Sequence, residues 1–295
     1  MHRPLFCRIL SAIEVYDPYF VQKRNCAGTI GLSSLQKMTA AFRMLAYGVP
    51  ADYVDEYVRI GEATAIESLQ KFVNAVVSIY SDNYLRSPNS DDVARLLEVG
   101  ESRGFPGMLG SIDCMHWQWK NCPAAWTSIF TWSSHEPTMI LEAVASQDLW
   151  IWHGVFWVTG QYSVNGHNYT TGYYLADGIY PAVVNLCKDN FLSTGKSKFA
   201  AAQESQERTV ELHLECFNAR FAIIRGSARG WNRETLINIM KACIIMHNMI
   251  IEYERNTDDD IDFEYEQIDE TPHTVKLILI AIRPIEHLWQ LYGQS

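Results

Sequence analysis

Three carboxylates occupy stretches where an isolated carboxylate is expensive. Asp113 interrupts the apolar run "GSIDCMHWQWK" (110–120), Asp177 ends the apolar run "GYYLAD" (172–177), and Glu211 lies in "RTVELHLECFNARF" (208–221). A buried carboxylate needs a base, a backbone donor or a metal as its partner. Three of them in one cleft repel strongly unless a divalent ion sits between them. Hard oxygen ligands suit Mg²⁺ or Mn²⁺. Two such ions ~3.5–4 Å apart would clamp the attacking and leaving oxygens of a phosphodiester. Each acid also has a plainer use. Asp113 could pair with Lys120 or cap a turn, and Asp177 could form an Asx-turn ahead of Gly178. Glu211 could be a surface helix residue, with no favourable i,i+4 partner in Glu215. The order of the three (strand, strand, helix) is what favours a shared role.

The elements that must position them can be read from periodicity. Residues 1–104 read as an all-helical domain. "LSSLQKMTAAFRMLAYG" puts Leu35, Met38, Phe42, Leu45 and Ala46 on one face, and Gly48-Val49-Pro50 ends it. A shorter helix, "DYVDEYVRI", turns at Gly61 into "ATAIESLQKFVNAVVSIY", whose stripe is Ile66, Leu69, Phe72, Val73, Val76 and Val77. Two short helices joined tightly could be a helix-turn-helix DNA reader or a plain bundle. At "RGFPGML" the pattern changes to strands at 108–119, 138–146 and 149–158, the last two joined by the turn "SQD" as an antiparallel hairpin. A strand then ends at Asp177, residues 199–221 read as a helix, and "NRETLINIMKACIIMHNMIIEYER" is a long apolar-faced helix. This pattern fits a mixed α/β, RNase H-like domain over 105–255. There the first three strands meander, the fourth lies parallel beside the first, and a late helix packs over their ends. An acidic linker (256–271) and a C-terminal helical segment (272–295) follow.

Composition narrows the classes. Hydrophobic content of 48% and charged content of 20% are those of an ordinary globular chain. The net charge of −10 is concentrated at the end: residues 256–295 carry 2 Lys/Arg against 9 Asp/Glu, mostly in "DDDIDFEYEQIDE". The rest is near neutral and has no basic block that would announce nucleic-acid binding by itself. The seven cysteines include no Cys-x-x-Cys pair, which favours free thiols in a reducing compartment and leaves Cys114, His116 and Cys122 without zinc spacing. No signal peptide is expected, and no uninterrupted apolar run reaches the ~18–20 residues of a membrane span. Glu142 and the pair His247/Asn248 read as packing and hydrogen-bonding residues in apolar settings.

The stretches "GFPGMLGSIDCMHWQWKNCPAAW", "ILEAVASQDLWIWH", "GYYLADGIYP", "ARFAIIRG" and "MKACIIMHNMIIEYER" resemble the plant PIF/Harbinger-type transposase-derived proteins, whose domain is a DDE endonuclease. The upstream "MHRPLF", "VYDPYFVQK" and "GLSSLQKMTAAFRMLAYGVP" and the closing "IEHLWQLYG" are similar too. The resemblance implies a divalent-metal (Mg²⁺ or Mn²⁺) nuclease acting on transposon-terminal DNA, with Asp113, Asp177 and Glu211 as its catalytic and metal-holding acids. It also implies a separate Myb-like partner for DNA targeting and nuclear entry; without it, a cytoplasmic location is expected.

The sequence departs from that family in two places. A fourth acid, in a stretch resembling "GVPGSNNDINVL", is expected after the third strand. Here "HGVFWVTG" runs directly into "QYSVNGHNYTTGYYLAD", a deletion at Gly160–Gln161. The glutamate stretch keeps Glu211 but has Leu212 for the family's Arg and Glu215 for its Gly. The remaining crossover, Gly160 to Thr171, has 12 residues. Extended, these reach roughly 40 Å, enough for a strand return of ~17–20 Å and two or three strand spacings of ~4.8 Å, but not for a covering helix as well. Impaired catalysis is therefore expected. The alternative is a catalytically inactive DNA- or chromatin-associated binding protein, with Arg220, Arg225, Arg229 and Arg233 as phosphate contacts or as an ordinary solvated surface.

Overall fold

The computed structural model describes residues 1–131, 136–146, 148–152, 159–164, 167–171, 173–176, 186–187, 215–230 and 232–258. At 112–114, 140–143, 159–164, 167–171, 175–176, 186–187 and 257–258 it describes the backbone alone. The chain forms two compact units drawn from discontinuous stretches: 1–85, 117–138 and 217–259 in the first, 86–116, 139–216 and 260–295 in the second.

The first unit is helical. Helices α1 (Arg3–Tyr16), α2 (Ser34–Tyr47), α3 (Ala51–Val58) and α4 (Glu62–Tyr84) are followed, later in the chain, by α6 (Ala124–Phe130), α8 (Ala222–Arg225) and α9 (Arg233–Asp258). Residues 215–220 form a further helical stretch, α7. α2 starts at a capping box: Ser33 accepts from the Gln36 backbone N–H while Gln36 reaches back to the Ser33 N–H. It ends at Gly48, whose left-handed φ of 63° closes the last turn onto Met44. A side chain at Gly48 would also lie 2.8 Å from the Ala222 carbonyl, so this cap is where α8 approaches α2. The buried faces follow the expected stripes, shifted at their edges. Met38, Ala41, Met44 and Leu45 are buried on α2 and Ala65, Leu69, Phe72, Val73 and Val76 on α4, whereas Leu35 and Ile66 are exposed.

α9 is the core of this unit. Leu236, Met240, Cys243, Ile244, Met246 and Ile250 are buried, and the helix packs along α4. At about 1.5–3 kcal/mol per fully buried apolar side chain, this face outweighs any intrinsic helix propensity. By length and composition α9 could cross a bilayer, but 72% of its apolar window is covered by protein, as in a core helix. Polar contacts fix its register. Asn248 donates to the Tyr84 carbonyl at 3.0 Å, at the C-terminal end of α4 where helix carbonyls need partners outside the helix. The Tyr84 hydroxyl donates to Glu252 at 2.5 Å and accepts from Arg8 at 3.0 Å.

The second unit holds α5 (Ser90–Ser102) and the sheets. α5 opens on a capping box between Asn89 and Asp92. The main sheet has the order β3-β2-β1-β6-β7, from β1 (Met108–Gln118), β2 (Thr138–Ala145), β3 (Ile151–Trp152), β6 (Tyr173–Ala176) and β7 (Leu186–Cys187). β2 and β3 are antiparallel, Val144 opposite Trp152 and Ala145 opposite Ile151. Their turn is held by the Ser146 N–H to the Trp150 carbonyl (3.1 Å), the Trp152 indole to Ser146 Oγ (3.0 Å), and Leu149 at φ 66°. The rest of the expected third strand, 153–158, lies outside the described residues. β4 (Thr159–Val164) and β5 (His167–Thr171) pair with each other in a separate two-stranded antiparallel sheet. The fold is therefore a mixed α/β chain with a helical N-terminal region.

Candidate active site

β1 is the central strand, and the residues before Asp113 are covered: Met108, Leu109, Gly110 and Ser111 are all buried. A strand buried on both faces reads as an unbroken apolar run, which is why a carboxylate stands out in it. Towards its end the strand alternates, with Trp117 and Trp119 buried and His116 and Lys120 exposed. Gly110 is needed where the register slips between Met108 and Gly110, as a bulge requires. Its φ is +155°, and a Cβ there would lie 2.8 Å from the Ala145 carbonyl oxygen on β2.

β6 runs parallel beside β1, with Met108 opposite Tyr173, Gly110 opposite Tyr174, Ser111 opposite Leu175 and Ile112 opposite Ala176. β7 continues the parallel arrangement on the far side of β6. Ile112 and Ala176 are the last matched pair among the described residues, and in the sequence each is followed directly by an aspartate, Asp113 and Asp177. The backbone of Asp113 is strand. Its side chain, Asp177 and Glu211 lie outside what is described, as does most of the expected helix 199–221. Ser111 is a polar group here that periodicity did not single out. Its hydroxyl is buried, two residues before Asp113, with no hydrogen-bond partner among the described residues.

The four arginines divide. Arg220 pairs with Glu254 at 2.8 Å and lies 3.4 Å from His247 Nδ1. His247 is fully buried edge-on against Phe217. Arg225 and Arg229 are exposed. Arg233 lies over the Phe130 ring at 5.8 Å. A parallel bridge from Trp119 to Ala228 seats the 226–230 segment. Around it the Trp117 indole donates to the Gly226 carbonyl (2.8 Å), the Trp119 indole to the Gly230 carbonyl (2.7 Å), and Asn121 to the Arg229 carbonyl (2.7 Å). Tryptophan spacing in "HWQWK" is the sequence signal for this belt, but its partner segment lies some hundred residues away, beyond the reach of any local pattern.

Among the groups of the helical unit that their surroundings shift are Tyr84 and Cys243. Tyr84 is pushed up to about 12, by burial first and then by its hydrogen bond to Glu252 and that carboxylate's charge. Burial holds the Cys243 thiol well above its ordinary value.

The chain matches the pattern of the family described as plant transposon protein, over residues 82–161 and again over 157–258. It belongs to that family. The two matched stretches cover β1, β6 and α9 and meet at 157–161. No curated protein and no solved structure matches the chain.

Proposed function

We propose that this plant transposon protein is a transposase-derived DNA endonuclease of PIF/Harbinger type with an RNase H-like DDE domain, impaired in cleavage. The observation that carries this reading is the parallel register of β1 and β6, in which the paired Ile112 and Ala176 directly precede Asp113 and Asp177 in the sequence. Adjacent strands lie about 4.8 Å apart, close enough for residues following a matched pair to share one divalent ion. The order β3-β2-β1-β6-β7 supports the same reading, since parallel strands joined away from their own hairpin are how the expected first and fourth strands become neighbours.

The donor set fits a hard divalent cation. Asp113, Asp177 and Glu211 offer only carboxylate oxygens, suited to Mg²⁺ or Mn²⁺. The Ser111 hydroxyl, without a hydrogen-bond partner among the described residues, adds a buried polar atom on the same strand as Asp113. When bound, such ions polarise the phosphodiester and lower the pKa of a nucleophilic water. The chain's own part in this reading is to bring Asp113 and Asp177, which follow the paired Ile112 and Ala176, beside one another, with Glu211 supplied from later in the chain.

Two observations support impairment. The crossover between β3 and β6 contains the β4–β5 hairpin, so the described residues between Thr159 and Thr171 supply strands rather than a helix. The family match also breaks at 157–161, at the proposed deletion, as expected if relatives carry additional residues there. These observations also favour the second reading, a catalytically inactive DNA- or chromatin-associated protein that acts in the nucleus with a Myb-like partner.

The test is cleavage of a terminal-repeat duplex by the full chain with Mg²⁺ or Mn²⁺, alongside calorimetry of Mn²⁺ binding. Weak or no cutting, with metal heat lost in Asp177→Ala, is expected. Robust cutting that survives Asp113→Ala would remove the assigned acids from the reaction. Identical metal titrations of the native chain and Asp177→Ala would remove the metal site.

A further inference from the structure

The helical unit carries an open hollow of about 420 Å³ lined by Trp126, Asn232, Arg233 and Glu234. Its floor is aromatic: Trp126 packs against Trp119 at 5.9 Å and near Phe130 at 6.3 Å between ring centroids. Trp119 is fully buried, but Trp126 remains 38% exposed, so a large flat ring faces outward on a rigid support. Arg233 lies over Phe130 on the same cluster. Asn232 uses its side-chain oxygen to accept from the Thr235 N–H at 3.1 Å, and its amide nitrogen has no bond among the described residues. Two basic residues adjoin these in the chain: Lys120 follows Trp119, and Arg229 lies three residues before Asn232. The Lys120 N–H donates to the Ala228 carbonyl (3.0 Å) and Asn121 bonds the Arg229 carbonyl (2.7 Å), bringing Lys120 next to Arg229. Neither Lys120 nor Arg229 has an ion-pair partner among the described residues.

We propose that this hollow seats one unpaired nucleotide of DNA, its base stacked on Trp126 and its phosphates met by Arg233, Arg229 and Lys120. The inference rests on the reading that the chain handles DNA, and adds to it a subsite for a base out of the duplex. Every base has a π-face, so an exposed tryptophan beside guanidinium groups accepts an unpaired base without needing its sequence. Glu234 sets a base preference. Its carboxylate lines the hollow and can accept a hydrogen bond from the exocyclic amine of cytosine or adenine. Thymine offers no such amine, so a preference for oligo-dC over oligo-dT follows.

The experiment is fluorescence anisotropy of the full chain with labelled oligo-dC, oligo-dT and a duplex, in EDTA so that no divalent ion participates. Trp126→Leu keeps an apolar, though smaller, side chain against Trp119 and removes the stacking face. It is expected to weaken single-strand binding by roughly tenfold and to leave duplex binding unchanged, while Trp126→Phe retains most of the affinity. Glu234→Gln is expected to shrink the preference for oligo-dC. Asp113→Ala is expected to bind like the native chain, which separates this subsite from the cleavage reading. A Trp126→Leu variant with native melting behaviour and unchanged single-strand affinity would overturn the proposal. So would equal losses on single strand and duplex, or native chain that cuts or binds duplex but ignores single strands.

Discussion

Gly110 gives a quantitative test of how β1 is held beside β2. Alanine at this position meets two obstacles. Its φ of +155° is one that L residues rarely adopt, and its Cβ would sit 2.8 Å from the Ala145 carbonyl oxygen, inside ordinary contact distance. Gly104 provides the matched control in the same unit, with φ +84° and open space, nothing lying within 4 Å of where a Cβ would stand. Strain alone at Gly104→Ala is expected to cost about 1–2 kcal/mol. Gly110→Ala should carry comparable strain and a steric cost of about 1–3 kcal/mol, because the opposing atom is backbone and cannot rotate away. A total of about 2–5 kcal/mol is a large share of the ~5–15 kcal/mol that holds a domain together. Urea unfolding followed by tryptophan fluorescence measures the difference, provided both variants keep the native slope. Equal destabilisation by the two substitutions would refute the close approach of β1 to β2. Under the proposed metal site, Gly110 lies three residues before Asp113, so a folded Gly110→Ala chain is expected to bind Mn²⁺ less tightly than Gly104→Ala.

Further outcomes follow from the helical unit. Tyr84 titrates near 10 when unfolded and at about 12 when folded. The neutral phenol is therefore the favoured form in the fold. Its contribution to stability is complete below pH 10 and is lost as pH rises towards 12, and thermal melts across that range should show the decline. Glu252→Gln removes the carboxylate's share of the shift, so phenolate absorbance should titrate at lower pH than in the native chain. Cys243 is fully buried and its thiol is held well above the ordinary value, whereas Cys7, Cys26 and Cys216 are exposed. Native-state labelling with a thiol reagent should modify those three and spare Cys243; rapid labelling of Cys243 would contradict its place inside α9's core face.

The local sequence determined the helices and their caps. Ser33 and Gln36, Asn89 and Asp92, and Gly48 are short-range signals whose bonds close within a few residues, so they are legible without the fold. The β2–β3 turn is legible for the same reason. The apolar strand around Asp113 and the strand over Tyr173–Ala176, just before Asp177 in the sequence, could also be read, because a carboxylate in or beside an apolar run violates the pattern around it. Tertiary structure decided what lies beside what. The register Ile112–Ala176 joins residues more than sixty positions apart, and no periodicity specifies such an offset. The β4–β5 hairpin was not expected, because its residues alternate weakly and its pairing replaces an extended crossover. Nor did sequence separate Arg220, which pairs with Glu254, from Arg225 and Arg229 on the surface. A side chain's chemistry is fixed by its type, but its partner is fixed by packing, and packing depends on contacts that are distant along the chain.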